Sequence, residues 1–177
     1  ELAPAVDGFL VGSSLMGPNN NPYQDIDLAC RKLIYGNNKV CGLTDIKYAN
    51  AAADAGARFG GLIFAEKSPR YVTKEQAQAI IKAEPKLEYI GVFVNKDSDK
   101  IIELVKALHL SAVQLHGSED AQYIEALTAE LALNNCDFCQ VWQASPVAQN
   151  VPLLNPSVSH HVLDGQSPGS GKTFDWQ

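Results

Sequence analysis

Two side chains sit where chemistry at the end of a strand would need them. Cys41 ends the apolar run Lys39-Val40-Cys41 and is followed by Gly42-Leu43-Thr44. Asp164 ends His161-Val162-Leu163 and opens a glycine-rich loop over residues 165–171. A free thiol with a reference pKa of about 8.5 is a few per cent thiolate at neutral pH, and nearby positive charge raises that fraction. Cys41 is therefore a candidate base or nucleophile. A carboxyl at an apolar strand end can keep its proton and deliver it as a general acid. Each also has a plain structural reading: free cysteine is among the most buried residue types, and a loop aspartate commonly accepts backbone hydrogen bonds.

Other motifs narrow the chemistry. In Ser68-Pro69-Arg70 an arginine is held beside a proline turn, which suits a carboxylate or phosphate, against the alternative of a solvated surface arginine. Gly12-Ser13-Ser14 offers backbone N–H groups to a phosphate, against an ordinary turn. The run Gly165-Gln166-Ser167-Pro168-Gly169-Ser170-Gly171-Lys172-Thr173 resembles a nucleotide loop but fails as one. It has five residues between its outer glycines where the P-loop has four, and no amphipathic helix follows. A loop that covers substrate fits it better. Cys136 and Cys139 form a lone C-x-x-C that leads into a strand rather than a helix, without a second ligand pair at zinc spacing. His160 and His161, adjacent in a strand, point to opposite faces and would not share a metal ion. No metal site is expected.

The elements that must position these groups alternate along the chain. Short, nearly all-apolar runs occupy residues 8–11, 39–43, 60–64, 89–94, 112–115, 138–142 and 161–163. Runs apolar on both faces suit a parallel sheet covered by helices. Amphipathic stretches lie between them. Residues 25–34 end at Gly36, and 45–55 end at Gly56. Thr73 with Gln76 forms a capping box ahead of 74–83. Asp97 or Ser98 caps the stretch through Leu108, and Ser118 caps 119–131 with acids in its first turn. Strand–helix alternation means parallel α/β architecture. Polar or glycine-rich residues follow nearly every strand (12–14, 42–44, 68–70, 95, 116–117, 144–145, 164–165), and one functional face built from many loops is the pattern of a β/α barrel rather than a doubly wound sheet. Seven strands fall short of the eight that close such a barrel, so the fold class expected is α/β, a (β/α)8 TIM-type barrel, incomplete.

Composition excludes other classes. With 177 residues, 46% of them hydrophobic, the chain can bury a core. A net charge of -6, from 14 basic and 20 acidic residues, argues against a nucleic-acid surface. The first apolar run is too short to span a membrane and lacks a basic leader, so no membrane partner is expected, and a cytoplasmic, reducing compartment is. There the four cysteines, Cys30 among them, are thiols. The first residue is Glu1 rather than Met, which suggests that the true N-terminus lies upstream.

Five ordered segments resemble phosphoribosylanthranilate isomerase of tryptophan biosynthesis: Lys-Val-Cys-Gly-Leu-Thr (39–44), Gly-Leu-Ile-Phe-Ala-Glu-Lys-Ser-Pro-Arg-Tyr-Val (61–72), Gly-Val-Phe-Val-Asn (91–95), Val-Gln-Leu-His-Gly (113–117) and Gly-Lys-Thr-Phe-Asp-Trp (171–176). Residues 7–16, Asp-Gly-Phe-Leu-Val-Gly-Ser-Ser-Leu-Met, look like the last strand and phosphate loop of indole-3-glycerol-phosphate synthase, which is fused ahead of the isomerase in some bacteria. The resemblance divides the chain into 1–35, the last strand, phosphate loop and helix of a synthase barrel, and 36–177, the first six strands of an isomerase barrel. It implies an Amadori rearrangement of N-(5-phosphoribosyl)anthranilate to the aminoketose, without cofactor. Asp164 is then the general acid and Cys41 the general base. Arg70, Gln114 and His116 bind substrate, and Gly12 and Ser13 belong to the other barrel's phosphate loop. The only partner implied is the phosphorylated small-molecule substrate, and the intact enzyme is a monomer of two fused barrels. The isomerase's seventh and eighth strands, with its phosphate site, are absent, so the segment alone is expected to be inactive. Pro168 stands where the family often has glycine, which narrows the loop's conformations. Two other readings stay open: a non-catalytic barrel remnant that binds a phosphorylated or carboxylated molecule, and a redox or zinc module built on Cys136 and Cys139.

Overall fold

Four helices lie wholly within the described residues, and each starts where a side chain or an extended residue can close its end. The structure is a computed structural model and describes residue 34, residues 36–147 and residues 155–165. Helix α1 (Ile46–Asp54) begins at Asp45, whose carboxylate accepts the Lys47 N–H, and its chain reverses at Gly56 with φ +86°. Helix α2 (Lys74–Ala83) carries the full capping box: Thr73 accepts the Gln76 N–H, and the Gln76 side chain accepts the Thr73 N–H. Helix α3 (Ser98–Leu108) begins at extended Asp97 and ends at His109 in the left-handed region.

Helix α4 (Ala121–Leu133) departs from expectation. Its cap is Asp120, which accepts the Tyr123 N–H at 2.8 Å, and no acid lies in its first turn. Ser118 does not cap it, because Ser118 and Glu119 are engaged in the loop before it, as described below.

Six strands form one parallel sheet in the order β1-β2-β3-β4-β5-β6. They are β1 (Lys39–Cys41), β2 (Phe59–Ile63), β3 (Glu88–Phe93), β4 (Ala112–Leu115), β5 (Gln140–Val147) and β6 (His160–Gly165). Every neighbour pair is parallel and consecutive in the chain, so there is no switch point where the order reverses. That winding is the barrel's and excludes the doubly wound sheet. Strand β5 runs further than expected. Ser145 and Pro146 pair with Leu163 and Asp164, so residues 144–145 lie within the sheet rather than in a loop after it. The strand read at 8–11, almost all of the helix read at 25–34, Cys30, Gly12, Ser13 and the loop beyond Gly165 lie outside the described residues.

The two faces of the sheet are unlike. The face toward the helices holds the main core: Leu62, Tyr89, Phe93, Val113, Leu115 and Val141 pack against Ala52, Ile80, Ile101, Val105, Ile124 and Leu127. Phe64 and Phe93 stack there at 5.3 Å. The other face holds a small cluster of Phe59, Ile90, Ala112 and Trp142, with Val162 against it. Phe59 meets Trp142 edge-on at 5.2 Å, a favoured aromatic geometry. Cys136 and Cys139 belong to the main core, only 1% and 7% exposed. They follow the left-handed turn at Asn135 that ends α4, and the Cys136 N–H donates to the Leu131 carbonyl at 2.8 Å. Their place in the sequence is explained by packing.

Candidate active site

Strand pairing decides which side chains share the inner face. Side chains alternate along a strand. Cys41 pairs with Gly61, Gly61 with Ile90, Ile90 with Ala112, Gln114 with Trp142 and Trp142 with His160. Lys39 and Cys41 of β1, Gln114 of β4 and Asp164 of β6 therefore lie on the face of the Phe59–Trp142 cluster. His116, two residues beyond Gln114, continues that face past the end of β4. His160 and His161 do point apart: His160 packs on the Trp142 ring at 4.7 Å, whereas His161 Nε2 lies 3.0 Å from the Asn155 carbonyl. Among the described residues no group of three or more metal-ligating side chains converges.

At β1 the thiol of Cys41 is exposed, so the buried-cysteine reading fails. Lys39 Nζ stands 3.5 Å from Cys41 Sγ and 2.5 Å from Gln114 Oε1. Gly61 gives the thiol its space: a Cβ there would lie 2.9 Å from Sγ. Arg70, in the loop after β2, reaches back so that Nη1 donates to the Cys41 carbonyl at 3.1 Å. Gly42 permits that approach. It turns with φ +85°, and a Cβ there would stand 2.7 Å from Arg70 Cδ. Arg70 is exposed but fastened to the rim, not loose in solvent.

Across the mouth, His116 Nε2 lies 3.5 Å from Asp164 Oδ2, with the side chains 26% and 33% exposed. Gln114 is 3% exposed. Because Gln114 and His116 lie on one face of one strand, the contacts form a row across the mouth, from Arg70 and Cys41 through Lys39 and Gln114 to His116 and Asp164. One cation stands at the thiol, a second at the Cys41 carbonyl, and an imidazole faces the carboxyl. Such a site can move protons at two places on a small anionic molecule.

Three residues of this arrangement went unread in the sequence. Lys39 carries its signal in the alternation, two residues before Cys41 and on the same face. Asn95 and Glu119 form a brace under His116. The Glu119 carboxylate accepts the N–H groups of Asn95 (2.7 Å) and Gly117 (2.8 Å), while Asn95 Oδ1 accepts the Ser118 N–H and hydroxyl. The local pattern looks like a helix start, and the pairing across two loops is not visible in it.

Two hollows border the sheet, and one of them reaches the row. One of about 610 Å³ lies where β1 meets α1, lined by Val40, Cys41, Leu43, Tyr48, Ala52 and Arg70, so it touches the Cys41 end of the row. One of about 430 Å³ lies at the other end of the strands, beside Arg58, Glu88, Gln140 and His160.

The sequence profile of the family described as N-(5'phosphoribosyl)anthranilate (PRA) isomerase matches residues 38–177, which include all six strands, Cys41 and Asp164. The chain belongs to this family. The tryptophan biosynthesis protein TrpCF of Salmonella typhi is 44% identical over 177 residues, which is 99% of this chain and 37% of that protein. The chain thus spans little more than a third of the length of such relatives. Phosphoribosyl anthranilate isomerase from Thermus thermophilus superposes with a TM-score of 0.65 at 29% identity, over 77% of this chain and 66% of that one. A phosphoribosyl anthranilate isomerase solved with reduced 1-(o-carboxyphenylamino)-1-deoxyribulose 5-phosphate superposes with a TM-score of 0.55 at 32% identity, over 62% of this chain and 53% of that one. The six-stranded parallel half-barrel found here is therefore the barrel architecture of the family. No helix among the described residues is long and apolar enough to cross a membrane.

Proposed function

We propose that this chain carries the isomerase chemistry of its family: the Amadori rearrangement of N-(5-phosphoribosyl)anthranilate to 1-(2-carboxyphenylamino)-1-deoxyribulose 5-phosphate. The observation that carries the reading is the row at the mouth, with the Cys41 thiol and the Asp164 carboxyl on one inner face, each beside a basic partner. Asp164 gives its proton to the ribose ring oxygen as the C1–O bond breaks, and the anthranilate nitrogen's lone pair forms the C1=N bond of a Schiff base. Cys41 Sγ then takes the C2 proton. The electron pair of that C–H bond moves into C1–C2, giving an enolamine that tautomerises to the ketone. No atom is gained or lost and nothing is oxidised overall, so the chemistry calls for one acid and one base and no cofactor. Arg70, at the rim, holds the anthranilate carboxylate, and Gln114 and His116 line the pocket.

The reading extends to the flanks. Residues 1–35 are the end of an indole-3-glycerol-phosphate synthase barrel, with Gly12 and Ser13 in its phosphate loop. Residues 36–177 begin the isomerase barrel of one bifunctional, monomeric, cytoplasmic protein. The motif at 7–16 and the likeness to TrpCF relatives support this division. The chain covers 37% of the Salmonella typhi TrpCF protein, and residues 1–177 by themselves are expected to be inactive; turnover near that of the full-length protein would refute this.

The test uses the full-length protein with Cys41→Ser and Asp164→Asn, followed by loss of the substrate's anthranilate fluorescence. Each substitution is expected to lower kcat about 10²–10⁴-fold, the usual range for a general acid or base, with the circular dichroism unchanged. Unchanged turnover in both would point instead to a barrel that only binds phosphorylated or carboxylated ligands.

A further inference from the structure

We propose that Lys39 is a positioning residue of this site: its ammonium is the fixed counter-ion of the Cys41 thiolate and sets the orientation of the Gln114 amide. The proposal rests on reading Cys41 as the base. It begins with alternation, since Lys39 and Cys41 are two residues apart on β1 and share the inner face. Lys39 is half-buried, and its Nζ reaches both Cys41 Sγ at 3.5 Å and Gln114 Oε1 at 2.5 Å.

An ammonium offers three donors and no acceptor, so the amide must present its oxygen to Lys39 and turn its NH₂ away. Gln114 is 3% exposed and has little room to turn back. Among the described residues Lys39 forms no ion pair with a carboxylate, whereas Lys74 and Lys96 do. The partners it does have are the Cys41 sulfur and the Gln114 amide oxygen.

Among the described residues few other charges lie on the thiol's face. Neighbouring β2 presents only Phe59, Gly61 and Ile63 on this face. From the loop after β2, Arg70 directs Nη1 at the Cys41 carbonyl rather than at the sulfur, which leaves its other donors for substrate. Further along the face β3 contributes Glu88, which is paired with Arg58, β4 contributes His116, and β6 contributes His160 and Asp164. Lys39 is the charge that touches sulfur. During turnover it keeps its protons: the C2 proton goes to Sγ and leaves from Sγ, and Lys39 supplies only charge and placement.

The experiment compares Lys39→Met, Lys39→Gln and Lys39→Arg in the full-length protein. Iodoacetamide modification of Cys41, mapped by peptide mass, is followed against pH, and kcat and KM are measured in parallel. In Lys39→Met and Lys39→Gln the midpoint of Cys41 modification is expected to rise by about one pH unit, which is about tenfold less thiolate at neutral pH. In both, kcat falls by about the same factor and recovers as pH rises, while KM changes less. Lys39→Arg keeps the charge and restores the midpoint. A midpoint unmoved in whichever neutral variant folds, or kcat lost equally in all three with the midpoint fixed, overturns the proposal. The modification profile reads the lysine–sulfur pairing even if Cys41→Ser leaves turnover intact, so failure of the pairing and failure of the proposed function are separable.

Discussion

The two faces of the sheet have divided the work of the molecule between them. The outward face meets four helices through large, fully buried side chains such as Leu62, Phe93 and Leu115. The inward face has a smaller apolar cluster, Phe59, Ile90, Ala112 and Trp142, and beside it stand an exposed thiol, a lysine, a histidine and an aspartate. Burial of apolar area is the main favourable term in folding, so stability resides outside the sheet and reactive groups inside it. Substitutions on the two faces should therefore fail in different ways. The sharpest break of the comparison is Phe93→Ala. This residue has no exposed surface and stacks on Phe64. Its truncation is expected to cost about 3–5 kcal/mol of stability, read by urea unfolding, while the pH midpoint of Cys41 modification in the folded fraction stays fixed. A small stability loss with a shifted midpoint would mean that the faces are not independent.

The cysteines make the same comparison chemically. Burial, with Cys136 beside it, pushes the Cys139 thiol up to about 12. The unfolded chain releases this proton near its reference value of about 8.5. Between those values the folded protein holds more protons than the unfolded one, so stability falls as pH rises through that window and is unaffected below it. By pH 10 the loss from this group is about 2 kcal/mol, from 1.36 kcal/mol per unit. Tyr123, pushed up to about 12 by burial and neighbouring carboxylates, adds loss in the same direction at higher pH. Urea unfolding at pH 7 and pH 10 checks the loss, and Cys139→Ala should remove the thiol's share of the slope. Iodoacetamide at pH 8 should label Cys41 and leave Cys136 and Cys139 untouched until the protein unfolds. Early labelling of Cys139 would place it nearer the surface than its burial implies.

The outward face was the easier to read. Residues 60–64 carry no polar side chain and 112–115 only that of Gln114, and periodicity carries that directly; the observed strands differ from the expected ones by one or two residues at most of these sites. The Thr73–Gln76 box is local chemistry and appears as read. On the inward face, Cys41 and Asp164 were visible as polar residues at apolar strand ends. Their surroundings were not, because Lys39–Gln114, Arg70–Cys41 and His116–Asp164 are pairings across 75, 29 and 48 residues that only the winding of the sheet brings about. Strand β5 was read short because Ser145 and Pro146 carry no apolar signal; their pairing depends on β6 alongside.

Glu119 shows why local patterns mislead at this face, and it supplies the smallest expected effect. A serine followed by an acid before an apolar run looks like a helix start, yet Glu119 points back and ties the loop after β3 to the loop after β4 through the Asn95 and Gly117 N–H groups. Asn95 holds a left-handed backbone, φ +47°, within that tie. The brace stands directly after His116, so it places the imidazole that faces Asp164. Glu119→Gln keeps the length of the side chain but turns one acceptor oxygen into a donor and removes the charge. One of the two N–H groups then meets an NH₂. Bonds to charged groups contribute roughly 1.5–3 kcal/mol when shielded, and this carboxylate is partly exposed, so a stability loss of about 1 kcal/mol is expected. The comparison of faces makes a second demand: because the brace serves the inner face, kcat in the full-length protein should fall by a larger factor than 1 kcal/mol of stability would cause in a population still almost wholly folded. A Glu119→Gln protein with the stability loss and full turnover would show that the brace holds the loops for the fold's sake alone and that His116 is placed by β4 without it.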